Sequence, residues 1–171
     1  MSMLRYTNMD RPCLGETYDG IDSMIEKIRQ VINEEEQDPQ ETFFKQVQKI
    51  IKERWNKMTT PLHLFAYALT PKYYSSQYCS LQGRFPSYRD MEVSDGYQAT
   101  FRRIFPDDDM RDVIMDEFIE FVNARGLSDD AHRHRFKKDA HSWWYLHGQR
   151  FQMLQPLAIK VISQVSFVFL I

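Results

Sequence analysis

Three consecutive aspartates, Asp107 to Asp109, and three histidines, His132, His134 and His141, have the right chemistry to hold a metal ion. Oxygen-ligand sites need carboxylates that converge, usually around turn glycines, and a bare run of Asp lacks that arrangement. The run fits the start of a helix, where the N-terminal dipole favours acids. The histidines lack the spacing of a zinc set, and no cysteine stands beside them. Cys13 and Cys79 lie far apart in sequence and are expected to be reduced thiols of an intracellular chain. No GxGxxG or GxxxxGK[ST] phosphate loop, HExxH helix or GxSxG elbow occurs. The sequence therefore assigns no catalytic residue, no metal ligand and no cofactor.

One basic stretch stands out. Arg133, Arg135, Lys137 and Lys138 follow one another closely, with His132 and His134 among them. A solvated helix face is the first reading. The alternative is a face that touches nucleic-acid phosphates, with help from Lys45, Lys49, Lys52 and Lys57. The formal net charge of -2 opposes a free-standing DNA binder, so DNA is the weaker partner.

The sharpest aromatic feature is Trp143-Trp144. Neighbours on a helix point about 100 degrees apart. One ring can enter the core while the other meets a further element. Beyond it, Leu154, Leu157, Ala158, Val161 and Ile162 recur at helical spacing. Trp143, Trp144, Leu154, Leu157, Val161 and Ile162 are the expected core or interface positions.

The elements that must position these groups are helical. Hydrophobic residues make up 43%, charged residues 27% and aromatic residues 14%, which suits a packed domain rather than a disordered chain. The expected fold is all-α, an irregular domain of about six to seven helices. Residues 1–17 lack an apolar period and are expected to be a mobile N-terminal arm. Ile21, Met24, Ile25, Ile28, Val31 and Ile32 share one face of a first helix. Asp38-Pro39-Gln40-Glu41 starts a second, which carries Phe43, Phe44, Val47, Ile50, Ile51 and Trp55. Thr60-Pro61 starts a third, closed by Pro71. Tyr73, Tyr74 and Tyr78 follow in a serine-containing loop. A fourth helix is predicted from near Ser87 to Phe105, with Met91, Tyr97, Phe101 and Ile104 in its core and Gly96 as a weak point. The fifth starts at the aspartate run and carries Met110, Val113, Ile114, Phe118, Phe121 and Val122, with Gly126 as its cap. Asp139 is placed to cap the helix of the tryptophan pair, which Gly148 ends.

Val165 to Ile171 is an apolar tail too short to span a bilayer, and Lys160 and Gln164 precede it. No secretory signal opens the chain. A membrane is thus not an expected partner, and a nuclear or cytoplasmic location is.

Two motif groups resemble the C-terminal half of plant hAT-superfamily transposases and their derivatives. The first runs Arg54-Trp55-Asn56-Lys57-Met58-Thr59-Thr60-Pro61-Leu62-His63, then Ala66-Tyr67-Ala68-Leu69-Thr70-Pro71-Lys72-Tyr73-Tyr74. The second runs Trp143-Trp144-Tyr145-Leu146-His147-Gly148, then Leu154 to Gln164. The likeness covers most of residues 20–164. It implies a helical insertion-like domain over 18–127, part of an RNase H-like transposase, and the start of a dimerisation-like region over 128–164. Residues 165–171 depart from the family as an apolar tail, where a segment with the last catalytic carboxylate is usual. Thr70 stands where Asn is common, and Pro156 where a helix-compatible residue is usual. None of the family's catalytic carboxylates matches a residue here, so no enzyme activity is expected.

The implied function is that of a truncated transposase-derived protein acting through association. Its partners would be a second copy of itself or longer hAT-like proteins. The alternatives are the nucleic-acid-contacting module and a gene-fragment product without function.

Overall fold

The computed structural model describes the backbone of residues 14–34 and 39–164, and the side chains of all but 29, 31–34, 39–44, 55, 57 and 58. The apolar tail at 165–171, Cys13, Asp38 and the side chains of Val31, Ile32, Phe43, Phe44, Trp55 and Lys57 fall outside these described residues.

Among the described residues the chain is all-helical. Its α-helices are α1 (Leu14–Glu34), α2 (Pro39–Met58), α3 (Pro61–Ala68), α4 (Ser76–Cys79), α5 (Met91–Ile104), α6 (Asp108–Val122), α7 (Asp129–Lys137), α8 (Ala140–His147) and α9 (Leu154–Ile162). Two 3-10 turns, Pro71–Tyr74 and Ser87–Arg89, join them. No helix among them is long and apolar enough to cross a membrane.

Local capping chemistry sets most helix starts. The carboxylates of Asp107 and Asp139 accept from Met110 N and Ser142 N, each at 2.9 Å. The Ser128 hydroxyl accepts from Ala131 N at 3.2 Å. Each satisfies a donor that the first turn leaves without an intrahelical partner. At α3, Thr60 N donates to His63 Nδ1 at 3.2 Å, which closes the turn that Pro61 begins.

Helix α9 lacks a local side-chain cap. Its cap comes from α6 instead: Glu117 accepts from Met153 N at 3.0 Å and from Leu154 N at 2.8 Å. Pro156 is the third residue of α9 and lies within the first turn, where a missing N–H breaks no helical bond. Replacing Glu117 with Ala strips the borrowed cap. We expect Glu117→Ala to lower unfolding free energy by about 1 kcal/mol, read by urea titration of tryptophan fluorescence.

Helix α3 is buried from Leu64 through Ala68 and forms the centre of the core. Helices α1 and α5 pack along it. On α5 the inward positions are Val93, Gly96, Thr100 and Phe101. A Cβ at Gly96 would lie 2.5 Å from the Leu64 Cβ, so this glycine lets the two helices approach closely. Side chains from both sides of residues 127/128 share one core. Phe121 of α6 sits at its middle, with ring centroids at 4.7 Å to Trp144, 5.3 Å to Tyr74, 5.6 Å to Trp143 and 6.1 Å to Phe151.

Several expectations need correction. Residues 14–17 belong to α1, with Leu14 and Thr17 buried, rather than to a mobile arm. The fourth predicted helix starts at Met91, because Asp90 caps there and Ser87–Arg89 forms a separate turn. Met91 and Ile104 lie outside the core, at 80% and 41% exposure. They are the first and last residues of α5, and Met91 also lies off the face that carries Val93, Gly96 and Thr100. Met110 and Val113 are likewise exposed on α6, whereas Ile114, Phe118 and Phe121 point inward. Tyr73 and Tyr78 are core residues and not loop decoration. Gly126 does adopt positive φ, at 66°, but in the turn after the α6 C-cap Asn123.

Candidate association surface

The segment from Leu81 to Met91 carries no apolar period, yet long-range polar contacts hold it firmly. Gly83 turns the chain at φ 71°. The Arg84 guanidinium then reaches α1, where it pairs with Asp19 at 3.3 Å and Asp22 at 2.5 Å and donates to the Ser23 hydroxyl. The Ser87 hydroxyl donates to the Tyr74 hydroxyl, which in turn donates to Ala68 O at 2.7 Å. Asp90 accepts from the Tyr18 hydroxyl of α1 and also caps α5, with Glu92 N at 2.9 Å.

A tyrosine cluster lies under this segment. Tyr67 and Tyr73 stack with centroids at 4.0 Å, and the Tyr73 and Tyr78 rings meet edge-on at 4.9 Å. The Tyr78 hydroxyl donates to Asp19 at 2.9 Å. Burial pushes the Tyr18, Tyr67, Tyr73 and Tyr78 phenols above their ordinary range, and nearby carboxylates add to it. These phenols are neutral hydrogen-bonding groups, not proton-transfer groups for neutral pH. A cleft of about 330 Å³ runs beside them, lined by Tyr18, Asp22, Tyr78, Arg84, Phe85 and Met91 among others.

Arg84, Ser87 and Asp90 of this segment turn inward to these partners, while most of its large apolar side chains face solvent. Leu81, Phe85, Tyr88 and Met91 are 52%, 59%, 49% and 80% exposed. Single exposed hydrophobes are ordinary on protein surfaces, but four within eleven residues are a local concentration, and Phe85 and Met91 border the same cleft. Arg89 and Asp95, both exposed, bring charge of both signs to its neighbourhood.

The residues singled out in sequence lie elsewhere. Trp143, Trp144, Leu154, Val161 and Ile162 are buried in this chain's own core, and Leu157 is half-buried against it. Both indoles are anchored: Trp143 Nε1 donates to Ala131 O at 2.9 Å and Trp144 Nε1 to Leu69 O at 2.8 Å. The basic stretch splits. Lys137 and Lys138 are exposed, and Arg133 pairs with Asp130 at 2.6 Å. Arg135 is not on the solvated face: it is 3% exposed and donates to Phe121 O. Its guanidinium lies 5.1 Å from the Phe121 ring centre and 5.7 Å from that of Trp143. Aromatic faces and a carbonyl replace part of its water, and desolvation lowers its pKa to about 10.

Among the described residues no group of three or more His, Cys, Asp or Glu side chains is arranged to hold a metal ion. The three aspartates cap and open α6, and Cys79 is a free, half-buried thiol. Sequence reading missed the Leu81–Met91 patch. The available signal was its density of large apolar residues among arginines and serines, with no helical or strand period to bury them. Compared with known protein families, with curated proteins and with solved structures, the chain finds no match.

Proposed function

We propose that this chain is a non-catalytic association module that pairs with a second copy of itself through the Leu81–Met91 segment. The carrying observation is the set of four exposed apolar side chains, Leu81, Phe85, Tyr88 and Met91, on a backbone pinned to α1 and the core. A pinned patch loses little conformational entropy when it is covered, which favours binding. The choice of a second copy rests on charge. In a two-fold interface each patch must complement itself. Arg89 and Asp95, both exposed and close in sequence to Tyr88 and Met91, give the segment both halves of a self-complementary charge pair.

The family reading belongs to the same proposal. The Trp-to-Pro-Leu-His segment ending at His63 and the Trp143-to-Gly148 segment support descent from the helical insertion and dimerisation-like regions of hAT-type transposases. An all-helical fold agrees with that descent. The contact surface, however, is assigned to the exposed segment rather than to the tryptophan stripe, whose side chains are already used in the core.

Light scattering across a concentration series tests the proposal. The wild-type chain is expected to approach twice its monomer mass at tens of micromolar. Met91→Glu and Phe85→Glu are each expected to weaken self-association by about 30-fold, the equivalent of about 2 kcal/mol at a central contact. Their far-ultraviolet circular dichroism should match wild type, because both side chains lie outside the core. A clean monomer for the wild type, or unchanged association in both variants, overturns the reading.

A further inference from the structure

Helices α7 and α8 bring two histidines together that lie 13 residues apart in sequence. His134 Nδ1 and His147 Nε2 stand 2.9 Å apart, with ring centroids at 5.1 Å. Both side chains are half-buried, so one side of the pair is walled by protein and the other open to solvent. The wall is the Trp143 indole, whose centroid is 5.6 Å from that of His147.

We propose that His134 and His147 form a two-histidine site for a divalent first-row transition ion, with zinc as the reference case. Imidazole nitrogens bind zinc at about 2.0–2.1 Å, and two of them in tetrahedral geometry stand about 3.3 Å apart. The observed pair needs to open by only a few tenths of an ångström. As a hydrogen-bonded pair, one ring nitrogen donates and the other accepts. Metal binding requires both lone pairs. The donating ring shifts its proton to its other nitrogen through solvent, so both rings remain neutral and no net proton is released.

The neighbouring charges fit a modest site that solvent completes. Asp130 and Lys138 are the charged groups acting on His147, besides His134 itself. Asp130 is already paired with Arg133, so two water molecules, not carboxylates, fill the remaining positions. Bound metal would join α7 to α8 beside the tryptophan pair.

The experiment uses the full chain, purified without a histidine tag. Zinc sulfate is titrated against it by calorimetry and by thermal unfolding, with magnesium as the control. Zinc is expected to bind one to one. At about 100 times its dissociation constant it should raise the unfolding midpoint by roughly 5–10 °C. His134→Asn and His147→Gln keep a polar atom near the bonding nitrogen and so preserve the fold, but they should lose the zinc shift. His132→Gln and His141→Gln should keep it. Two site variants guard against one failing to fold. No zinc shift in the wild type, or an equal shift in both site variants, overturns the proposal and leaves the pair as a hydrogen bond between helices.

Discussion

Trp144→Ala is expected to cost about 3–5 kcal/mol of unfolding free energy, a large share of the roughly 5–15 kcal/mol that holds an ordinary domain folded. The indole is fully buried and touches Phe121, Trp143 and Phe151 with centroid distances from 4.7 to 5.9 Å. Truncation removes its apolar area and opens a cavity among rigid rings that cannot close it. It also leaves Leu69 O, on a fully buried residue, without the indole donor at 2.8 Å. Trp144→Phe separates the two contributions. It keeps most of the apolar contact and loses the donor, so it should cost about 1–3 kcal/mol. Urea titration followed by circular dichroism reads both values. Equal costs for Phe and Ala would show that the hydrogen bond, not ring packing, dominates at this site.

Gly96→Ala is expected to destabilise by roughly 1–3 kcal/mol, although alanine is the better helix former by about 1 kcal/mol. The added methyl would meet Leu64 Cβ and Cδ1, each at 2.5 Å. Cβ is fixed to the α3 backbone, so a rotamer change cannot relieve the clash and the helices must separate. The control is Leu64→Gly in the same background, which removes that Cβ. If the clash is the cause, the double variant should recover part of the Gly96→Ala cost relative to the sum of the single changes. A stabilised Gly96→Ala chain would mean that α3 and α5 do not approach as closely as described.

Local chemistry made much of this fold legible beforehand. Asp107, Asp139 and Thr60-Pro61 mark helix starts with short-range signals, and the starts lie where those signals put them. Periodicity likewise placed Ile114, Phe118 and Phe121 on one inward face. The Leu81–Met91 segment was not legible, because its order comes in large part from partners more than 60 residues away. Arg84 finds Asp22 and Tyr18 finds Asp90, and no window of neighbouring residues contains both members of either pair. Arg135 was misread for a related reason. A guanidinium in a basic run suggests a wet face, and only the packed rings of Phe121, Trp143 and Tyr74 reveal its dry surroundings. The histidine pair shows the same limit. Spacing directed attention to His132, His134 and His141 within one stretch, whereas the pairing crosses to the next helix at His147.

The bond from Trp144 to Leu69 O spans 75 residues of chain. The entropy cost of closing a loop rises with its length, and distant contacts slow the search for the native arrangement. On a ribosome, α3 emerges long before α8 does. The buried run Leu64 to Ala68 is therefore synthesised well ahead of the tryptophans that cover its end. During that interval α1 and α5 can already pack along α3, and only its C-terminal end at Leu69 waits for the Trp144 indole to close it.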